Sequence, residues 1–178
     1  MWIQELWRYP VKSMAGERLE SAEVTEAGIV GDRMVLVAGP GGRIITSRTH
    51  PRLLGLRGSL APDGEPLVNS KPWGAFEQLG VDHRRLRPNI VIGGVDGLAE
   101  RGWPGQRLRV GDVIASVASR RSRCVMTTYD PDTQEQDLSV LRRIASEFGG
   151  QMALDCGVLG GGRIVVGDPV ELLQPEEA

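Results

Sequence analysis

The stretch RLRVGDVI, residues 107–114, decides the fold class of this chain. Aliphatic and polar residues alternate up to a Gly-Asp corner and apolar residues resume after it, which is the pattern of two strands joined by a tight turn. A closely similar stretch, RIVVGDPV, occupies residues 163–170. Because Pro169 has no amide hydrogen to donate to a sheet, the last strand should begin there or lie at a sheet edge. We interpret both stretches as β-bends of one barrel and assign no catalytic role to their aspartates.

Short β-type runs separated by turns fill most of the remaining sequence, which contains 24 glycines and 11 prolines. Many short strands of this kind are typical of a sandwich or a barrel. The alternation predicts strands over residues 2–9, 19–24, 34–37, 43–46, 53–60, 90–92, 108–110, 113–118, 164–166 and 170–173. We therefore expect a mainly β protein (α+β at the margin) with a barrel-like architecture.

One helix is predicted over residues 138–148, where apolar residues recur at helical spacing. Asp137 can cap its start, and Gly149 and Gly150 can end it. A second, shorter helix is predicted around residues 73–79.

The composition is that of an ordinary globular protein: 178 residues, 40% of them hydrophobic and 25% charged. A formal net charge of −2 gives no overall field that would attract nucleic acid or an anionic membrane. The N-terminus does not have the pattern of a signal peptide, and no apolar run approaches membrane-spanning length. Two cysteines do not make a disulfide framework. We therefore expect a cytoplasmic protein with no nucleic-acid partner and no membrane partner.

Cys124 lies in the stretch RSRCVMTTYDPDT, residues 121–133. The flanking guanidinium groups create a positive field, which favours the thiolate over the thiol. The thiolate is the form that attacks electrophiles or binds a soft metal. Cys124 is therefore either a single reactive sulfur or an inert buried one. We expect the other cysteine, Cys156, to be a buried structural residue.

Two segments near the N-terminus carry polar side chains that the packing of a β-barrel does not require. Lys12 and Ser13 follow a strand and a proline, and an ammonium group with a short hydroxyl donor suits an anionic ligand. A solvated loop lysine is the alternative interpretation. In the second segment Asp32 could orient Arg33, or the two residues could form an exposed pair that contributes little to stability.

A third segment, RRLRPNIVI, occupies residues 84–92. Arg87 and Asn89 lead into an apolar strand, so a guanidinium fork and an amide lie at the mouth of that strand. Arg84 and Arg85 could act with them or could face water. We interpret His50 and His83 as surface residues.

These stretches together resemble the molybdenum cofactor sulfurase C-terminal (MOSC) domain family. The resemblance is to the branch that contains the mitochondrial amidoxime-reducing components and their bacterial relatives. The matching motifs are YPVKS at 9–13, GDR at 31–33, TSR at 46–48 with PRL at 51–53, LRPNIVI at 86–92, RCVMTT at 123–128 with DPDT at 130–133, and GRIVVGDPV at 162–170. Each motif alone is weakly specific, but the six occur in the family's order from residue 9 to residue 170.

The resemblance implies a MOSC-type β-barrel that binds a molybdenum cofactor, molybdenum held by a molybdopterin. Cys124 would be the metal ligand, and the cofactor would be held by Lys12, Ser13, Arg33, Arg87, Asn89, Ser122 and Arg123. The implied organisation is an N-terminal β segment at residues 1–60, a shortened connection at 61–85 and a core with the cysteine motif at 86–174. These would pack as one compact unit, followed by a tail at 175–178.

The implied activity is the reduction of small N-hydroxylated compounds by a molybdenum-dependent oxidoreductase, with electrons from a separate reductase. Cys124 and Asp155 would be the catalytic residues, and Asp155 or Asp130 would move protons. The chain has Arg121 where the family often has a further cysteine, and its connection is shorter than in full-length relatives. Two alternatives stay open: a sulfur carrier or transferase that uses a Cys124 persulfide, and a cofactor-binding module without turnover.

Overall fold

The computed structural model describes residues 1–60, 66–69 and 82–173. Within these residues the chain forms twelve strands and one α-helix, α1 (Leu138–Phe148). The strands are β1 (Trp2–Arg8), β2 (Glu17–Leu19), β3 (Ser21–Thr25), β4 (Gly28–Ile29), β5 (Arg57–Leu60), β6 (Pro66–Asn69), β7 (Ile90–Gly93), β8 (Arg107–Val110), β9 (Val113–Ser122), β10 (Gln151–Gly160), β11 (Gly162–Val165) and β12 (Val170–Leu173). The mainly β fold with one helix that the sequence predicts is confirmed.

All the strand pairs of these sheets are antiparallel. The strand orders are β2-β1-β7, β10-β9-β8-β12, β11-β3-β4 and β5-β6. Two of the sheets join the beginning of the chain to its second half, because β1 pairs with β7 and β3 pairs with β11. This pairing brings the loop after β1 close to the loop before β7.

The largest cluster of buried side chains is aliphatic and lies between these sheets. Ile3, Leu6 and Ile164 are fully buried there, and Val117 is almost so. Alternate residues of β8 are buried, as the period of a strand with one face on the core requires. A second, smaller cluster of Val11, Met14 and Leu53 lies under the loop that follows β1.

The helix begins and ends as the sequence predicts. The Asp137 carboxylate accepts a hydrogen bond from the Ser139 amide at 2.8 Å, and Gly149 ends the helix in the left-handed conformation (φ 63°). Val140 and Ile144 form its buried side. The second predicted helix, at residues 73–79, lies outside the described residues, as do the tail and most of the connection.

Four strand predictions differ from the structure. The predicted strand 19–24 is interrupted at Glu20, between β2 and β3. Residues 34–37 and 43–46 form only isolated bridges, Val11–Val35 and Ala38–Ile44. The segment 53–60 begins in a short 3₁₀ helix, Pro51–Gly55, and becomes extended only in β5. The strands β4, β6 and β10 were not predicted. By contrast, β12 begins at Val170 and lies at a sheet edge, as Pro169 requires.

Candidate functional site

The pairing of β1 with β7 brings Tyr9 and Arg87 together. Leu6 lies opposite Ile90 in the antiparallel register, so the residues after β1 meet the residues before β7. The Arg87 guanidinium carbon lies 4.2 Å from the centre of the Tyr9 ring, and the Tyr9 hydroxyl donates to the Pro88 carbonyl oxygen at 3.2 Å. Arg87 also donates to the Met14 carbonyl oxygen. Tyr9 is buried, and burial raises the pKa of its hydroxyl above the ordinary value.

Arg33 approaches the same tyrosine ring from another segment. Its amide donates to the Tyr9 carbonyl oxygen at 2.8 Å, and its guanidinium carbon lies 6.0 Å from the ring centre. The Asp32 carboxylate accepts from the Tyr9 amide at 2.7 Å and lies 3.3 Å from the Arg33 Nε. Asp32 therefore orients Arg33, and Tyr9 is a common platform for two guanidinium groups.

Three predicted cofactor-binding residues have a left-handed backbone. They are Ser13 (φ 73°), Arg33 (φ 54°) and Arg87 (φ 53°), in three separate loops. This conformation is uncommon for residues other than glycine and is found where the surrounding structure imposes it, often at functional sites.

Cys124 lies between the end of β9 and a single 3₁₀ turn, Val125–Thr128. Its carbonyl oxygen accepts hydrogen bonds from the amide of Thr127 at 3.0 Å and from the hydroxyl of Thr127 at 2.9 Å. The side chain of Cys124 is partly exposed and forms no disulfide. The thiol is thus held on a well-defined turn and remains accessible.

Arg123 ties the cysteine turn to two other segments. Its amide donates to Gly150, its Nε donates to the Met152 carbonyl oxygen at 2.8 Å, and its Nη1 donates to the Leu86 carbonyl oxygen at 2.9 Å. Leu86 directly precedes Arg87. The residue before Cys124 therefore contacts the segment that carries Arg87.

Three of these arginines form one electrostatic cluster. Burial lowers the pKa of Arg87 to about 10, and the charge of Arg33 also lowers it. Burial lowers the pKa of Arg123 to about 10 as well, and the charges of Arg121 and Arg33 act in the same direction. Both groups still carry a positive charge at neutral pH. Neither forms a salt bridge with a carboxylate of the described residues, so the cluster has an excess of positive charge.

Arg84 and Arg85 are held in ion pairs and do not face water. Arg84 bridges Asp82 at 2.5 Å and Asp132 at 2.6 Å, and Arg85 pairs with Asp130 at 2.8 Å. Arg85 also donates to the carbonyl oxygen of Thr128. These contacts fix the loop before β7 against the loop after Cys124.

The other predicted site residues lie in more varied positions. Ser13 is buried, and the side chain of Lys12 is exposed. The Asn89 side-chain amide donates to the Trp7 carbonyl oxygen at 3.2 Å, which anchors it to β1. Ser122 is exposed at the end of β9 and pairs with Gln151.

Asp155 lies on β10, and its carboxylate accepts from Arg121 at 2.7 Å. Its negative charge acts to raise the pKa of Arg123. Asp155 therefore lies in the electrostatic neighbourhood of the candidate site. The ion pair with Arg121 is partly exposed to solvent.

Two interpretations of individual residues were wrong. The side chain of His83 is only 16% exposed, and its Nε2 lies 2.9 Å from Glu5 Oε2, next to the Trp7 ring. Cys156 lies at an exposed position of β10. Partial burial of the thiol and, to a smaller extent, the charge of Asp155 raise the pKa of this cysteine. His50 is exposed, as expected.

Two surface cavities are lined by residues outside this cluster. One of about 190 Å³ is bordered by Asp82, Arg85, Asp130, Asp137, Ser139, Val140 and Arg143. The other, of about 540 Å³, lies between residues 51–56 and residues 129–135. Cys124 lines neither of them. The candidate site is therefore recognised by its charges and hydrogen bonds.

Two features are absent from the described residues. No group of three or more histidine, cysteine, aspartate or glutamate side chains in this part of the chain could hold a metal ion. No helix within the same residues has the length and apolar character needed to cross a membrane.

Known proteins similar to this chain were found by sequence. Mitochondrial amidoxime-reducing component 1 of Homo sapiens is 34% identical over 151 residues, which are 75% of this chain and 40% of that protein. The protein of the same name from Mus musculus is 36% identical over 105 residues, which are 49% of this chain and 29% of that protein. The chain thus matches less than half of the length of these relatives.

Solved structures with a similar fold were also found. The YUAD protein from Bacillus subtilis superposes with a TM-score of 0.54 at 15% identity, covering 97% of this chain and 98% of that one. A hypothetical protein superposes with a TM-score of 0.51 at 17% identity, covering 99% of this chain and 70% of that one. At such identities the likeness concerns the fold alone.

Two family models match the sequence and agree with the order of its motifs. The MOSC N-terminal beta barrel domain matches residues 1–86, and the MOSC domain matches residues 69–171. The second match alone covers more than half of the chain. The protein therefore belongs to the MOSC domain family.

Proposed function

We propose that this chain binds a molybdenum cofactor through Cys124 and reduces small N-hydroxylated compounds. The observation that carries the proposal is that Arg33 and Arg87 meet at the Tyr9 ring while Arg123, the residue before the partly exposed Cys124, bonds to the residue before Arg87. A phosphate-bearing pterin requires forked cations, and molybdenum accepts a soft sulfur ligand.

The residues present fit such an anionic group. A buried charge without a partner destabilises a protein, because removing the charge from water costs on the order of several kcal/mol. Arg87 and Arg123 donate only to carbonyl oxygens among the described residues. In the same part of the chain the buried Nε of Arg57 has no hydrogen-bond partner, and the Arg57 backbone pairs with Ala15 in the loop that carries Ser13. A bound phosphate would offset these costs.

Each predicted residue has a role in this proposal. Arg33, Arg87 and Arg123 supply the forked donors for the phosphate, and Ser13 supplies a short hydroxyl donor from a constrained backbone. Lys12 adds an exposed ammonium group at the rim. Asn89 and Ser122 complete the set, and in this structure the amide of Asn89 also fixes the loop to β1.

When bound, the molybdenum cofactor would supply two-electron exchange and removal of an oxygen atom. Conversion of an N-hydroxylated compound to its reduced form takes two electrons and two protons and releases one water. Cys124 offers the thiolate ligand. Asp155 is the proposed proton carrier, because it is partly exposed and lies in the electrostatic neighbourhood of Arg123.

Asp130 is less suited to moving protons. Partial burial acts to raise its pKa, but the amides of Thr133 and Asp132 and the charge of Arg85 outweigh this effect, and the pKa lies below the ordinary value. A carboxylate held this firmly in its charged form releases and accepts protons poorly near neutral pH.

The names of the relatives support the choice of substrate class, since they are called amidoxime-reducing components. Because the chain matches less than half of their length, their activity extends to it only as a proposal. A separate reductase as electron donor and a cytoplasmic location belong to the same proposal.

Metal analysis of matched cysteine variants tests the proposal. The chain, Cys124→Ser and Cys156→Ser would each be produced in cells that make the cofactor, and molybdenum and pterin would be measured per mole of protein. We expect near-stoichiometric molybdenum in the chain and in Cys156→Ser, and at least about a tenfold loss in Cys124→Ser. Reduction of benzamidoxime with reduced methyl viologen should follow the molybdenum content.

A folded chain without molybdenum, or retention of molybdenum in Cys124→Ser, would contradict the proposal. In the metal-free chain, a persulfide that forms on Cys124 with a cysteine desulfurase would instead favour the sulfur-carrier alternative. Bound cofactor without reduction of benzamidoxime would favour the non-catalytic module.

A further inference from the structure

A β-hairpin next to the candidate site is not used by the proposed function. Its arms pair through the Ala38–Ile44 bridge, and the Ile45 amide donates to the Val37 carbonyl oxygen at 2.9 Å. We refer to residues 34–46 as the 34–46 hairpin. Opposite residues of an antiparallel pair share a face, and successive residues along an arm alternate between faces. Within the arms, residues 34–38 and 44–46, even-numbered residues therefore lie on one face and odd-numbered residues on the other, and Arg43 belongs to the turn that joins the arms.

The two faces differ in burial. On the odd face, Val35, Val37 and Ile45 pack against the smaller buried cluster under the loop after β1. On the even face, which we call the outer face, Met34 is 73% exposed, Leu36 is 48% exposed and Ile44 is 51% exposed. Large aliphatic side chains grouped on one exposed face are typical of an interaction site.

The segment that carries the outer face is basic. Residues 33–60 contain five arginines and no aspartate or glutamate. Arg43 on the hairpin and Arg48 just after it are exposed. The carboxylate that precedes this segment, Asp32, is already engaged by the Tyr9 amide and by Arg33. An exposed apolar centre with arginines around it matches a partner that has an apolar patch bordered by carboxylates.

Both ends of the hairpin are attached to the candidate site. At its start, Arg33 bonds to Tyr9, and the Lys12 amide donates to Val35 at 2.9 Å. Just after its end, the fully buried Ser47 hydroxyl donates to the Met126 sulfur at 3.0 Å, two residues beyond Cys124. A partner seated on the outer face would therefore lie close to the cofactor-binding residues.

We propose that the outer face of the 34–46 hairpin, with Arg43 and Arg48, is the docking surface for an acidic electron-carrier protein. This inference rests on the proposed function, because it names the kind of partner that the redox site requires. Each turnover consumes two electrons and two protons, with release of water from the N-hydroxylated substrate. A one-electron carrier would dock twice per turnover and leave oxidised by one electron each time. The protons come from solvent.

Binding to purified carriers is the first test. The panel consists of three acidic proteins: a [2Fe–2S] ferredoxin, a flavodoxin and a soluble b-type cytochrome. We expect at least one to bind with an affinity that falls as ionic strength rises, and to bind Arg43→Glu/Arg48→Glu at least about tenfold more weakly. Met34→Glu/Ile44→Glu should show a similar loss. Arg142→Glu and Leu98→Glu, at exposed positions elsewhere, are the matched controls.

Turnover with two kinds of donor is the second test. With the carrier that binds, the Arg43→Glu/Arg48→Glu variant should lose at least about tenfold in kcat/KM for benzamidoxime at low ionic strength. With reduced methyl viologen, which requires no docking surface, its activity should stay within about twofold of the unaltered chain. Circular dichroism and molybdenum content would verify that the variants fold and retain cofactor.

The possible outcomes separate the two proposals. Absence of viologen-driven reduction in the unaltered chain contradicts the proposed function, while the binding measurements still test the surface. Failure of every carrier to bind, or equal binding by the hairpin variants and the controls, overturns the docking surface. The docking surface would also be overturned if Met34→Glu/Ile44→Glu abolished a dimer of this chain and left carrier binding unchanged. The same holds if this variant lost binding to vesicles of phosphatidylcholine and phosphatidylserine and still bound the carrier normally. Those results would assign the face to a second copy or to a membrane.

Discussion

Arg123 donates its Nη1 hydrogen to the carbonyl oxygen of Leu86 at 2.9 Å, so the residue before the candidate metal ligand holds the residue before Arg87. The same side chain donates through Nε to Met152 at the start of β10. One guanidinium group thus joins three segments that are far apart in sequence. Its position suggests two functions, one structural and one in holding an anionic cofactor.

Replacement of Arg123 separates these functions. Arg123→Met should lower the free energy of unfolding by about 2–3 kcal/mol, since it removes charge-assisted hydrogen bonds and leaves two carbonyl groups without donors. Arg123→Lys should recover part of the free energy of unfolding. A lysine cannot contact the cofactor through two parallel N–H groups as a guanidinium does, so the molybdenum content of this variant should stay low. Urea denaturation and metal analysis would measure both quantities, with exposed Arg142→Met as the control. Unchanged stability in Arg123→Met would refute the structural role.

Arg87 should behave differently, because it is more deeply buried than Arg123 and its side chain donates to one carbonyl oxygen where Arg123 donates to two. In protein made without cofactor, Arg87→Met should change the free energy of unfolding by less than about 1 kcal/mol, since the lost contacts are offset by removal of a buried cation. In cells that make the cofactor, the same variant should lose most of its molybdenum. A large loss of stability in the cofactor-free variant would mean that Arg87 acts mainly in folding.

The elements that could be predicted are those whose signals are local. Alternation in residues 107–114 was sufficient for β8 and the start of β9. The Asp137 cap, the helical spacing and Gly149 were sufficient for α1. Strand β10 has no such signal, because it contains glycines and an acidic residue, and its pairing with β9 over ten residues determines its conformation. The β-bulges in that pairing also break the alternation.

The same distinction applies to the candidate site. Motif order predicts that Arg33, Arg87 and Cys124 belong to one site. The platform formed by Tyr9 could not be predicted, because it depends on contacts between residues almost eighty positions apart. The only local feature of the sequence at Tyr9 is the proline that follows it in the first motif. The ion pairs of Arg84 and Arg85 likewise depend on partners that follow Cys124.

The carboxylate of Asp130, which accepts from the Thr133 and Asp132 amides and pairs with Arg85, should make stability depend on acidic pH. The pKa of Asp130 is below its ordinary value of 3.8 in the folded state, so the unfolded chain binds a proton more readily. The amide hydrogen bonds and the ion pair therefore stabilise the fold above that value, and this contribution is lost as pH falls toward the lower folded pKa. Asp130→Asn should lower the free energy of unfolding by about 1 kcal/mol at pH 7.

As the pH falls into the acidic range, the difference in free energy of unfolding between Asp130→Asn and the unaltered chain should become smaller. Urea denaturation at pH 7, 5, 4 and 3 would follow it, with Glu147→Gln on the exposed side of α1 as the control. An equal difference at every pH would show that the carboxylate charge is not responsible.

Gly16 offers a way to move Tyr9 without replacing any charged residue. A Cβ at this position would lie 2.6 Å from two atoms of the Tyr9 ring and 2.7 Å from the Arg8 carbonyl oxygen, which is too close for either to remain in place. Gly16→Ala should therefore lower the free energy of unfolding by about 1–3 kcal/mol through overpacking. It should also displace the ring on which Arg33 and Arg87 lie.

Because the displaced ring carries Arg33 and Arg87, we expect Gly16→Ala to contain less molybdenum. This loss should be present at temperatures where the variant is still fully folded. Gly102→Ala is the matched control, because no atom lies within 4 Å of the Cβ it would add. Thermal denaturation and metal analysis of the two variants would be compared with the unaltered chain. If Gly16→Ala is destabilised but retains full molybdenum, the tyrosine platform contributes to folding and does not position the arginines for the cofactor.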